Sequence, residues 1–172
     1  ATKQKVIDSL QTVLSRLSTP DDSVTELFNI YDLAVAPEKI EYGKKLAATA
    51  RRAGRPGVAF DVMRNIANNN QSNEEVLEEV ISMVRSYPRS EDRDNTVTFV
   101  RILLNSARAK SAATAEERVA QIQELVRQLS ATPAEKLDDR IVTLHAICLN
   151  LSELSEGDLL ADYLHRLGEL IE

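Results

Sequence analysis

The sequence predicts an all-α protein, a right-handed stack of antiparallel helical hairpins with about nine helices in a single domain over residues 1–172. Three observations predict it. Helix-start signals, in which a capping residue precedes a proline or acids in the first turn, recur along the whole chain. Between them, apolar residues return at intervals of three and four, and no alternating, strand-like stretch of comparable length competes. The starts at 20 and 56, 37 and 73, and 115 and 156 lie 36, 36 and 41 residues apart, the period of helical-hairpin repeats. Only five Gly and five Pro leave too little turn chemistry for an all-β sandwich or barrel.

Taken in order, an opening helix over 3–17 carries Val6, Leu10, Val13 and Leu17 on one stripe. Thr19-Pro20-Asp21-Asp22 supplies a cap, a first-turn proline and two acids for a helix over 20–34, with Val24, Leu27, Phe28 and Tyr31 inward. Ala36-Pro37 starts 37–53, Arg55-Pro56 starts 56–68, Ser72-Asn73-Glu74-Glu75 starts 74–86, and Asp94-Asn95 starts 95–109. Thr114-Ala115-Glu116-Glu117 and Thr132-Pro133-Ala134-Glu135 read as capping boxes for 115–129 and 133–152. The first of these helices buries Val119, Ile122, Leu125, Val126 and Leu129, the second Ile141, Leu144, Cys148 and Leu151. Ser155-Glu156-Gly157-Asp158 starts 156–171, whose apolar residues are Leu159, Leu160, Tyr163, Leu164, Leu167 and Ile171. Short helices of this kind suit a stack, in which each buries a face against its neighbours in sequence, better than a closed bundle.

Composition narrows the class further. With 43% hydrophobic and 28% charged residues the chain has enough apolar surface to fold, and no apolar run approaches the ~20 residues that span a bilayer. A soluble or peripheral protein is expected. One cysteine, Cys148, forms no intramolecular disulfide, so nothing requires an oxidising compartment. The polar stretch from Ala1 to Gln11 runs into a helical pattern without a signal peptide, and the missing initiator Met fits Met removal, excision from a longer chain or cleavage of an organelle presequence. The net charge of -6 and pI near 5.1 oppose a general nucleic-acid binder. Charge is nevertheless polarised: residues 39–64 carry seven basic and two acidic residues, and residues 111–172 carry five basic and twelve acidic.

The basic stretch is the candidate partner-binding surface. Lys44, Lys45, Arg51, Arg52 and Arg55 are assigned to one helix, with 44, 48, 51 and 55 on a single stripe flanked by 45 and 52. They suit an acidic protein partner; Tyr42 is the only nearby aromatic, too little for RNA stacking. His145-x-x-Cys148 and Asp162-x-x-His165 have ligand-like spacing, yet Cys148 belongs to a core stripe while Asp162 and His165 fall on a polar face, so no metal site is expected. Glu74, Glu75, Glu78 and Glu79 make an acidic first-turn face that complements the helix dipole. No GxSxG, P-loop, GxGxxG or HExxH pattern occurs, and Gly54-Arg55-Pro56-Gly57 lacks the Gly-Lys-Ser/Thr of a phosphate cradle. No enzyme activity and no cofactor are expected.

Leu46, Ala47, Gly54, Ala59, Met63 and Ile66 place small residues where two helices cross and a glycine at the turn between them. Over roughly 43–76 this resembles the tetratricopeptide hairpin, with Ala50 and Met63 where that family carries aromatics. The resemblance implies an α-α superhelix that engages other proteins. Across 24–66, Tyr31-Asp32-Leu33, Pro37, Lys39-Ile40, Ala50-Arg51-Arg52, Ala59 and Arg64 resemble the central helices of the cytochrome c oxidase subunit Va (yeast subunit 6) family, with a shift in spacing before Arg51-Arg52 and a longer chain after residue 90. This second resemblance implies an accessory subunit on the matrix side of the mitochondrial inner membrane, binding no haem or copper. The sequence therefore leads to a non-catalytic subunit that docks in and stabilises a larger assembly, the oxidase being the most specific candidate. The alternative is a stand-alone adaptor or chaperone that binds a partner peptide, in which case a cytoplasmic location is expected.

Overall fold

A computed structural model describes residues 2–154 and 157–171, which form helices joined by short turns and loops, with no strand among them. Nine helices are present among these residues. The chain divides into two compact units, Ala1–Ile66 and Ala67–Glu172.

The first unit contains α1 (Thr2–Leu14), α2 (Pro20–Leu33), α3 (Glu38–Arg52) and most of α4 (Pro56–Asn69); α1 packs on α2, and α2 on α3. Thr19 caps α2, its hydroxyl accepting from the Asp22 N–H at 3.2 Å and donating to the Asp22 carboxylate at 2.6 Å. Gly54, at φ 71°, ends α3 by the left-handed reversal that glycine adopts without a Cβ clash. The reversal lets the Arg55 N–H reach the Ala50 carbonyl at 2.8 Å and the Gly54 N–H reach that of Arg51 at 3.1 Å, and Pro56 opens α4 directly.

The small-residue register holds. Leu46, Ala47, Ala50, Ala59, Met63 and Ile66 are all buried. The tightest approach is at Gly43, where a Cβ would stand 2.7 Å from Ile66 Cδ1 and 2.9 Å from Tyr31 Cε2. The Tyr31 ring is fixed there by its hydroxyl, which donates to Asn65 Oδ1 at 2.6 Å, and burial pushes the phenol above its ordinary pKa. In α1 the inward face differs from the expected one: Ile7 is buried, while Val6 and Val13 are 43% and 45% exposed and Leu17 lies beyond the helix. Ile7, Leu10 and Leu14 also have helical spacing, and that face turns inward.

The second unit holds α5 (Glu74–Arg85), α6 (Glu91–Ser111), α7 (Ala115–Ala131), α8 (Leu137–Leu154) and α9 (Gly157–Ile171). Consecutive helices pack together, and α6 also contacts α8. Asn73 caps α5, and Thr114 and Glu117 form the expected capping box of α7. Two expected starts move. Ser90, not Asp94, caps α6, accepting from the Arg93 N–H at 3.1 Å. Thr132 ends α7 instead of opening α8: its hydroxyl donates back to the Gln128 carbonyl at 2.7 Å, and Lys136 closes a turn onto Pro133 before α8 begins at Leu137. The starts of α6 and α8 are thus 46 residues apart, longer than the 36 that separates α2 from α4. Ser155, Glu156 and the Ile171 side chain, named in the ninth expected helix, lie outside the described residues.

Large aliphatic residues fill this unit. Ile102, Ile122, Leu125, Leu129, Leu144, Ile147 and Leu151 form its core, with Leu160, Tyr163 and Leu167 of α9 packed against them. Asn150 is fully buried among them and donates to Ser106 Oγ at 3.2 Å and to the Ala146 carbonyl at 2.8 Å, tying α8 to α6. No helix among the described residues is long and apolar enough to cross a membrane.

Candidate partner-binding surface

The basic surface of α3 follows from the face the helix buries. Gly43, Leu46, Ala47 and Ala50 turn inward, which leaves Lys45, Arg51 and Arg52 on the exposed side and Lys44 half-buried at its margin. Lys44 pairs with Glu41 one turn back at 2.9 Å. Lys45 lies over the Tyr42 ring, its ammonium 5.4 Å from the centroid and so within the ~6 Å of a cation–π contact. The Tyr42 hydroxyl in turn accepts from the Gln11 amide of α1. Arg52 donates to the Thr49 hydroxyl at 3.1 Å.

Arg55 is not on this helix. The reversal at Gly54 puts it in the link to α4, where its guanidinium reaches the Asp21 carboxylate in the first turn of α2 at 2.7 Å. Four of the five cations therefore split. Lys44 and Arg55 are matched by carboxylates, whereas Lys45 and Arg52 rest on an aromatic ring and a hydroxyl and meet no carboxylate among the described residues.

The ligand-like residues of the second unit do not converge. Cys148 is buried and its thiol pKa is pushed up by desolvation; His145 is exposed. Asp162 pairs with Arg166 at 2.8 Å, and His165 faces Glu169. Among the described residues no three His, Cys, Asp or Glu side chains are grouped so that they could hold a metal ion.

The acidic face of α5 has a structural partner that its sequence did not indicate. Glu78 meets Arg108 of α6 at 2.5 Å, Glu74 lies 3.8 Å from the same guanidinium, and Ser111 Oγ donates to Glu74 at 2.5 Å. Along this seam a cleft of about 380 Å³ opens between α5 and α6, lined by Glu78, Ile81, Ser82, Arg85, Arg101, Leu104 and Arg108. Its arginines escaped the sequence reading, because Arg85 and Arg101 belong to different helices; the only signal was the i, i+7 spacing of Arg101 and Arg108. A second, more apolar groove of about 550 Å³ runs between α7 and α9, walled by Val119, Val126, Leu159 and Tyr163 over Ile122 and Leu151.

Compared with known proteins, the chain matches no family model, no curated protein and no solved structure.

Proposed function

We propose that the protein is a non-catalytic helical-repeat subunit that docks in and stabilises a larger protein assembly, using the exposed cations of α3. The observation that carries this reading is the state of Lys45 and Arg52, exposed charges held by neutral groups, which an acidic partner surface would complement. Arg51 stands beside them on the exposed side of α3. The resemblance over 24–66 makes mitochondrial cytochrome c oxidase the first assembly to test, with the protein on its matrix side.

Charge reversal tests it. Lys45→Glu with Arg52→Glu should leave helix content and melting temperature nearly unchanged, because exposed charges contribute little to folding. The same variant should fail to co-purify with the native assembly, and association of the wild type should slow as salt rises. Incorporation at wild-type level would reduce α3 to solvated surface.

A second reading, a stand-alone adaptor that takes up a partner's peptide, is favoured by the cleft between α5 and α6, which is lined by three arginines.

A further inference from the structure

The α5–α6 cleft gathers cations in a unit whose overall charge is the opposite. Residues 67–172 carry 11 basic and 19 acidic residues, yet the cleft is lined by Arg85, Arg101 and Arg108 against the single carboxylate of Glu78. Its position follows from the packing of α6. That helix is covered by α5, α7 and α8, so little of it reaches solvent, and Arg101 lies on the strip that does. Arg108 is engaged by Glu78 and Glu74. Arg85 and Arg101 make no ion pair and no side-chain hydrogen bond among the described residues, so their guanidinium donors remain available.

The rest of the lining indicates what those donors would meet. Ile81 and Leu104 form an apolar floor, 7% and 6% exposed, and no aromatic ring is present to stack a base. The strongly negative unit around the cleft repels an extended polyanion, whereas a few carboxylates spaced by aliphatic side chains match both the arginines and the floor. An adjoining cleft of about 240 Å³ shares Arg101 and adds Thr98, Lys136 and Gln128, whose buried Oε1 has no hydrogen-bond partner. Polar groups thus continue past Arg101, with the Asp139 carboxylate among them beside Lys136.

We propose that the α5–α6 cleft binds a short acidic peptide segment of a partner protein, with carboxylates on Arg85 and Arg101 and an intervening aliphatic side chain on Ile81 and Leu104. The inference rests on the adaptor reading above and gives that adaptor its ligand chemistry.

The test uses the full chain, isotopically labelled for amide chemical shifts, and a fluorescein-labelled peptide alternating glutamate and leucine. Shifts should gather on α5 and α6, binding should weaken with salt, and the same peptide with glutamine for glutamate should not bind. Arg85→Gln with Arg101→Gln should lower affinity by about tenfold or more through the loss of two charge-assisted hydrogen bonds, with helix content unchanged. Lys45→Glu with Arg52→Glu should leave this affinity as it is. Shifts confined to α7–α9 would overturn the cleft assignment and leave the adaptor reading standing; no binding of any peptide would overturn both. Displacement by inorganic phosphate as effective as by unlabelled peptide would make the cleft a simple anion site and overturn the peptide assignment.

Discussion

The two units bring helices together in different ways. In the first, small residues do it: Gly43, Ala47, Ala50 and Ala59 let backbones approach until one added Cβ would collide with Tyr31 and Ile66. In the second, longer helices are held apart by Leu125, Leu144, Ile147 and Ile102, and the clefts along α5–α6 and between α7 and α9 open where those large side chains do not close the seam. The first unit offers a partner the exposed cations of α3, and the second offers grooves.

The contrast breaks most readily where volume is removed from the second unit. Leu144 is 1% exposed, and Leu144→Ala should cost about 2–5 kcal/mol, read as a fall in the urea midpoint. A loss under 1 kcal/mol would show a loosely packed core. Glycine substitutions sharpen the comparison, because alanine is the better helix former by about 1 kcal/mol in an open position. Gly168→Ala in α9, where a Cβ meets nothing within 4 Å, should stabilise the protein by about 0.5–1 kcal/mol. Gly43→Ala should instead destabilise by about 1–2 kcal/mol, since the ring that must yield is pinned to Asn65 and overpacking outweighs the propensity gain. Equal signs for the two would remove the distinction. The smallest effect separates two threonines of like sequence: Thr114→Ala should cost about 1 kcal/mol through the lost cap, and Thr132→Ala only a few tenths, both by thermal melting.

Those threonines also show what was legible in the sequence. Thr114-x-x-Glu117 and Thr132-x-x-Glu135 are the same pattern, but the hydroxyl of Thr132 is already bonded to the end of α7, a competition that only the preceding helix can reveal. Ser90 escaped notice because four charged residues without an apolar one separate it from Asn95, so the apolar period begins well inside α6. In α1 two faces share helical spacing, and packing against α2 turned Ile7 inward and left Val6 exposed. The hairpin between α3 and α4 was readable because its constraints are local: a glycine at the reversal, a proline after it, small residues at fixed offsets. The basic residues of α3 were legible as charges; their pairing was not, since Asp21 lies 34 positions from Arg55. The arginine cleft was hidden for the same reason, being assembled by packing across a helical hairpin.

One consequence of α6 reaches beyond binding. Because it touches α5, α7 and α8, its backbone amides open to water only when several of those neighbours let go, and α8, against α6, α7 and α9, is held in the same way, so these two helices are expected to carry the slowest hydrogen exchange of their unit. α1, resting on α2 with Val6 and Val13 in water, is expected to exchange faster. Arg101 and Arg108 are thus carried on a helix packed against three neighbours, and a ligand held there would meet a preformed row of cations, with little ordering entropy left to lose on binding.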